Sequence, residues 1–244
     1  MKIGIIGGSG LDNPAILENA EKNEVQTNFG NAIITQGTID SKEILIIARH
    51  GKNHKLTPTQ VNYRANIDAL KQKKVDVILS TTACGSLRKK MDRGDFVIID
   101  QFIDFTKFRK NTFFENFENE INHAPMADPF DDFLRQILIN SAEELNFKVH
   151  KKGTVVTIEG PRFSTRAESN MFRILGADII NMSIATEASL ANEAKIPYAS
   201  IAMVTDYDCW KKDEESVSWE KVFEIFSDNA ERVKKLLVTS IKAI

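Results

Sequence analysis

Cysteine is scarce: Cys84 and Cys209 are the only two in 244 residues, and they make neither a disulfide framework nor a metal-ligand spacing. They read as reduced thiols of a cytoplasmic protein. Long apolar runs are also missing. Nothing approaches the roughly 20 residues of a membrane span, and the opening MKIGIIGG reaches two glycines before an apolar signal-peptide core has formed. Charge of one sign is thin, with a formal net charge of −2 and no extended block of like charge. Neither nucleic acid nor an anionic membrane is therefore expected as a partner. Repeats, low-complexity tracts and Pro/Gly/Ser-rich linkers are lacking, so residues 1–244 are read as a single domain. At this length the chain buries most of the surface that it exposes when unfolded, enough to enclose a deep pocket.

What is present is an alternation of strand and helix signals, which predicts an α/β fold with a mixed, largely parallel central sheet flanked by helices. Lys2–Ile6, Ile44–Ala48, Val75–Ser80, Phe96–Asp100, Gly153–Ile158, Ile179–Met182 and Tyr198–Val204 read as strands. Thr57-Pro58 supplies an N-cap and first-turn pair for a helix running to about Lys73. Thr165-Arg166-Ala167-Glu168 is a capping box for a helix that stops at Gly176. A last helix begins near Ser218, with Val222, Phe226, Val233 and Leu237 at helical spacing. Residues 104–128 read as a long loop with Phe105, Phe108, Phe113, Phe114 and Phe117, a candidate lid or subunit contact.

Polar clusters follow the strands near residues 6, 48, 80, 182 and 204. In open α/β sheets ligands bind at the carboxyl ends of the strands. Gly7-Gly8-Ser9-Gly10 is either a small anion cradle or a tight turn without a ligand. A dinucleotide fingerprint would need glycine at Asn13, and a P-loop would need a following Gly-Lys-Ser/Thr. Arg49 is a fork for phosphate oxygens or half of a surface ion pair. His50 and His54 are four apart, but Gly51, Asn53 and Pro58 make the segment a loop and a zincin glutamate is missing, so no metal is expected. Thr81, Thr82 and Ser183 put hydroxyls at strand ends, where each either caps a helix or holds an anion. With Ser9 and Arg49 they would surround a phosphate with neutral donors and one permanent cation. That suits a phosphate which must itself attack.

Thr205-Asp206-Tyr207-Asp208-Cys209-Trp210 follows an apolar strand. If the extended backbone continues, both carboxylates point to one side. Crowding in an apolar pocket would raise the pKa of at least one and leave a general acid, and a helix N-cap or surface acidic loop is the competing reading. Phe163, within Gly160-Pro161-Arg162-Phe163-Ser164-Thr165, either stacks on a flat base or packs at a helix start.

Read in order, these segments resemble the methylthioadenosine phosphorylases of the trimeric purine nucleoside phosphorylase family. The likeness is carried by GIIGGSGLDNP at 4–14, RHG and VNYRANI within 49–67, TTACGSLR at 81–88 and GDFVIIDQFIDFT at 94–106. It continues in HAPMADPF at 123–130, TIEGPRFSTRAES at 157–169 and TDYDCW at 205–210. The resemblance runs from near residue 3 to about residue 225 and implies the phosphorylase/hydrolase-like fold. It also implies phosphorolysis of 5'-methylthioadenosine to adenine and 5-methylthioribose 1-phosphate, with phosphate as co-substrate and neither metal nor organic cofactor. A phosphorylase acting mainly on adenosine or 6-oxopurine nucleosides is the alternative, and a nucleosidase using water stands behind it.

Residue by residue, the resemblance implies Ser9, Arg49, His50, Thr82, Ala83 and Ser183 on phosphate and Met182 along the ribose. Phe163 and Ser164 would line the base, with Tyr207 beside the acidic pair. Asp206 would be the acid at purine N7, and Asp208 the acceptor for the 6-amino group. Relatives that act on 6-oxopurines have asparagine at the position of Asp206. A homotrimer, or a dimer of trimers, is implied, with His123 reaching a neighbour's site. Longer members carry a further C-terminal segment over the 5' pocket. Here Trp219 and Val222, with His123 and the phenylalanine loop from across the interface, are expected to close it. The chain departs from the family in carrying Trp219 for a smaller aliphatic and Thr186-Glu187 for the usual proline-glutamate pair.

Overall fold

The strings KIGIIG and KEILIIA are apolar at nearly every position, as expected of strands covered on both faces. A computed structural model describes residues 1–8, 16–117, 121, 123–213 and 218–244. Its elements in chain order are β1 (Lys2–Gly7), β2 (Glu18–Thr27), β3 (Gly30–Ile39), β4 (Lys42–Ala48), α1 (Tyr63–Gln72), β5 (Val77–Ser86), β6 (Phe96–Ile98), β7 (Gln101–Phe105), α2 (Asp132–Glu144), β8 (Val149–His150), β9 (Thr154–Ile158), α3 (Arg166–Ile174), β10 (Ile179–Asn181), α4 (Ile184–Glu193), β11 (Tyr198–Asp206) and α5 (Trp219–Ala243). A short 3-10 turn covers Lys52–His54.

The strands form one mixed 11-stranded sheet. The period of two in β4 sends Leu45 and Ile47 into a core with Ile67 and Leu70 of α1 and Ile184 and Ala188 of α4. Ile44 and Ile46 go to the opposite core with Leu134 and Leu138 of α2 and Leu236 and Leu237 of α5. Each fully buried Ile or Leu contributes about 1.5–3 kcal/mol relative to exposure, which holds the helices to both faces.

The sheet branches at β5. That strand pairs in parallel with β11 from Ile78 to Gly85. On its other edge it pairs with β1 only up to Ser80, and with antiparallel β10 from Gly85. Among the described residues no strand pairs with the stretch between on that edge, and a cavity opens there.

The observed elements differ from the expected ones in places that matter for the site. Thr57-Pro58 lies in a turn, and α1 starts at Tyr63 because the Asn62 side chain accepts from the Ala65 N–H at 3.1 Å. Thr81–Gly85 lies within β5 instead of beyond its end. Phe96–Asp100 is split: β6 ends at Ile98, and a new strand, β7, starts at Gln101 and runs into the segment expected as loop. The capping box at Thr165 and the stop at Gly176 (φ 94°) are present.

Candidate active site

A cavity of about 410 Å³ lies along the open edge of β5, the size of pocket that holds a small organic molecule. Lys55, Leu56, Thr57 and Phe163, all exposed, stand at its mouth, and Pro58 and Val222 also line it.

At one pole stand Gly8, Arg49, His50, Thr82, Ala83 and Ser183. Arg49 follows β4 and is 2 % exposed. Its Nε donates to Glu187 Oε1 in a very short contact and its Nη2 to Glu187 Oε2 at 2.9 Å. Nη2 also donates to Ser80 Oγ at 2.8 Å, and Nη1 to the Thr81 carbonyl at 2.9 Å. Burial alone would lower its pKa, but the Glu187 carboxylate outweighs that and holds it above its ordinary value. Sequence reasoning gives Glu187 no place in the site. Its signal is a single carboxylate within Ile184-Ala185-Thr186-Glu187-Ala188, an apolar stretch in which a buried charge must find a partner. Burial and the charges of Arg49 and His54 push the His50 pKa down to about 3, so its ring is neutral. His50 Nδ1 lies 2.9 Å from the Leu56 carbonyl and its ring stacks on His54 at 4.1 Å. A carbonyl only accepts, so Nδ1 carries the proton.

Ser183 is the N-cap residue of α4, which directs that helix's N-terminus at the same pole. Behind it Thr157 Oγ1 donates to Asn181 Oδ1 at 2.8 Å, and Asn181 Nδ2 donates to Thr82 Oγ1 at 3.3 Å.

Met182 sits mid-cavity. Gly160 allows its close approach: the backbone there has φ 69°, and a Cβ would come within 2.5 Å of Met182 Sδ. A second, half-buried ion pair fixes this region. Arg109 donates to Glu159 Oε1 at 2.8 Å, the Tyr63 hydroxyl at 2.8 Å and the Met182 carbonyl at 3.0 Å. Glu159 is pulled to about pH 2: burial opposes ionisation, but donors from Thr59, Lys107, Arg109 and Phe108 outweigh it. Arg109 belongs to the loop of residues 106–117, so the pair ties that loop to the cavity wall.

Asp206 and Asp208 stand at the other pole with Ser164, Cys84, Gly85 and Ile180. The backbone does not continue extended, the condition under which the sequence would put both carboxylates on one side. After a bulge between Val204 and Asp206 it turns, Asp208 takes φ 50°, and the Asp208 N–H donates to Asp206 Oδ1 at 2.7 Å. Both carboxylates nevertheless line the cavity. Gly85 makes room, since a Cβ there would lie 2.8 Å from Asp206 Oδ1. Burial raises the Asp206 pKa against the pull of the Thr205 hydroxyl, which donates to Oδ2 at 2.8 Å. Burial likewise raises that of Asp208, tempered by the nearby Ser169 hydroxyl and reinforced by Asp206. Asp208 Oδ2 is buried without a hydrogen-bond partner, as are the Ser164 and Ser169 hydroxyls.

Four expected site residues are not seen at this cavity. Tyr207 turns away from it: its hydroxyl donates to Asp92 at 2.8 Å and its ring lies under Lys211 Nζ at 3.8 Å. Together with Trp210, whose Nε1 donates to the Ser86 carbonyl at 2.8 Å, it anchors the acidic segment from behind. His123 is exposed and packs edge-on to Phe117, with ring centroids 5.3 Å apart. Ser9 and the side chain of Trp219 lie outside the described residues.

The sequence model of the phosphorylase superfamily matches residues 2–242. The chain is 50% identical over 250 residues to S-methyl-5'-thioadenosine phosphorylase of Xenopus tropicalis, covering 100% of this chain and 89% of that protein. It is 47% identical over 246 residues to the protein of the same name from Thermofilum pendens, covering 100% of this chain and 92% of the other. The solved structure of methylthioadenosine phosphorylase from Schistosoma mansoni in complex with adenine superimposes with a TM-score of 0.94 at 41% identity, covering 100% of this chain and 91% of that one. A mutant of the adenosine/methylthioadenosine phosphorylase from the same organism, in complex with methylthioadenosine, gives a TM-score of 0.93 at 40% identity over 100% and 91% of the two chains.

Proposed function

The chain belongs to the phosphorylase superfamily, and from that membership and the two poles of its cavity we infer that it catalyses the phosphorolysis of 5'-methylthioadenosine to adenine and 5-methylthioribose 1-phosphate. The observation that carries the reading is a carboxyl pair, Asp208 buried and Asp206 half-buried, facing an arginine and helix-N-terminus pole across one cavity. One pole suits a purine with a 6-amino group and the other an oxyanion.

Adenine leaves poorly as an anion. A proton delivered to N7 from Asp206, whose burial favours the protonated carboxyl, lowers that barrier. Asp208 Oδ2, buried and unpartnered, would accept from the 6-amino group, so binding would satisfy an orphaned acceptor. As the bond between C1' and N9 breaks, its electron pair goes to the purine. A phosphate oxygen held by Arg49, Thr82, Ala83 and Ser183, with Ser9 beside them, forms the new bond to C1' and stabilises the positive charge that develops there, while Nε2 of the neutral His50 ring accepts from the P–OH of hydrogen phosphate. The proton that hydrogen phosphate gives up on becoming an ester balances the one Asp206 delivers. Met182 would lie along the ribose, Phe163 and Ser164 along the base. Leu56, Pro58 and Val222 provide apolar surface for the methylthio group. No metal or organic cofactor enters this scheme.

The reading includes a homotrimer of cytoplasmic protein in which the neighbour's His123 and, within the subunit, Trp219 close the mouth. Exposed Phe108 and the free thiols of Cys84 and Cys209 support it. Among the described residues no helix is long and apolar enough to cross a membrane.

The test is adenine release from methylthioadenosine with and without inorganic phosphate, alongside adenosine and inosine. Phosphate-dependent release, fastest with methylthioadenosine, is expected. Release that ignores phosphate would replace the phosphorylase with a hydrolase, and a preference for inosine would refute the assignment of the acidic pair to adenine.

A further inference from the structure

Arg49 is bound almost completely by the protein itself. A guanidinium has five N–H donors. Two go to Glu187, one from Nη2 to Ser80 and one from Nη1 to the Thr81 carbonyl. One N–H, on Nη1, has no partner among the described residues, and it belongs to the side of the guanidinium nearest Gly8, where an added Cβ would lie 3.1 Å from Nη1. Gly8 and Arg49 both line the cavity. The charge is matched as well as the donors. Glu187, 1 % exposed, also accepts at Oε2 from Ser80 Oγ at 3.0 Å and from the Tyr198 hydroxyl at 2.8 Å. His50 is neutral, Arg109 is paired with Glu159, and Lys55 is an exposed residue at the mouth. The anion pole therefore has a cation in it but little unopposed positive charge.

We propose that Glu187 is a positioning residue that limits the grip of Arg49 on phosphate to a single directed N–H, trading phosphate affinity for phosphate reactivity. This rests on phosphate being the co-substrate. A dianion seated on an unopposed buried guanidinium would be held tightly in the ground state, but its charge must move toward C1' during reaction. Binding that is strong before the transition state and weaker in it raises the barrier. Glu187 withdraws that excess binding and fixes the guanidinium plane, with Ser80 and Tyr198 holding the carboxylate in turn.

Glu187→Gln keeps the shape of the side chain and removes its charge. Initial rates with methylthioadenosine are measured across phosphate concentration for this variant and for Tyr198→Phe, which removes one hydrogen bond from Oε2. The expected result is a split: in Glu187→Gln the KM for phosphate falls while kcat falls by about tenfold or more, and the KM for methylthioadenosine stays within about twofold. Tyr198→Phe should move both constants the same way by less, and it decides the matter if Glu187→Gln does not fold. A phosphate KM that rises, or that stays unchanged in a folded variant, would overturn the proposal and leave Glu187 a purely structural partner. In parallel, the rise in Tm on adding inorganic phosphate is compared between wild type and variant without nucleoside. A larger rise in the variant supports the proposal, and an equal or smaller one refutes it. If the wild type releases no adenine, the functional reading fails, and the Tm comparison still decides the role of Glu187.

Discussion

Asp206→Asn separates the chemistry of the site from its architecture. The Asp208 N–H, now 2.7 Å from Asp206 Oδ1, keeps its acceptor in the amide oxygen. The Thr205 hydroxyl loses Oδ2 but already lies 3.2 Å from the Cys84 carbonyl and can donate there. No backbone group is orphaned and no volume is lost. Removing a carboxyl whose pKa is raised by burial also removes the cost of ionising it at neutral pH. The variant is therefore expected to unfold no more easily than wild type, and relief of such a site commonly adds about 0.5–2 kcal/mol. What it loses is the transferable proton. General acid catalysis is worth about 10²–10⁴ in rate, or about 3–5 kcal/mol of barrier. Adenine release from methylthioadenosine at saturating phosphate, with thermal unfolding of the same preparation, measures both. In wild type kcat should fall as pH rises through the raised Asp206 pKa, and in the variant that limb should flatten. Turnover within about threefold of wild type would refute the general acid role. A collapse of Tm alongside activity would show that the carboxyl holds the fold together, contrary to the contacts described.

Three further outcomes follow from the same contacts. Gly160→Ala pushes a Cβ to 2.5 Å from Met182 Sδ at a backbone φ of 69°; a stability loss of about 1–3 kcal/mol and a higher KM for methylthioadenosine are expected, checked by urea unfolding and initial rates. Arg109→Met unpairs the Glu159 carboxylate and releases the Tyr63 and Met182 contacts. The Arg109 side chain is 1 % exposed but that of Glu159 is 16 % exposed and keeps donors from Thr59, Lys107 and Phe108, so a loss of about 1–3 kcal/mol is expected in denaturant, and a loss below about 0.5 kcal/mol would contradict the reading. His50 has a folded pKa near 3 against an ordinary 6.5, so the unfolded chain binds the extra proton between those values and stability must fall as pH drops through that window. His50→Gln should flatten that part of a Tm-against-pH curve, and an unchanged slope would mean that the ring is not buried neutral.

Some of this was legible along the chain because the cause is local. The runs in β1 and β4 declare strands covered on both faces, Thr165 to Glu168 declares a capping box, and polar clusters after apolar strands declare the functional edge. Other features were hidden because their cause is remote. β2 carries a polar string in which only Val25 is buried, so it has no alternating signature and exists because β3 pairs with it. The start of α1 depends on one Asn62 side chain, where Thr57-Pro58 offered an equally good local signal.

The sequence by itself determined the class of fold, the residues that carry charge and hydroxyls to one edge, and the chemistry of those groups. Periodicity, capping and side-chain type are properties of a segment and its neighbours in the chain. Only the tertiary structure decided that Arg49 meets Glu187 across 138 positions, that the chain turns after Asp206 yet leaves both carboxyls on the cavity, and that Tyr207 faces away from it. The first depends on the ends of β4 and α4 meeting in the folded sheet, and the other two on the bulge in β11 and on the contact of Tyr207 with Asp92, 115 positions away, none of which is a property of one segment's pattern.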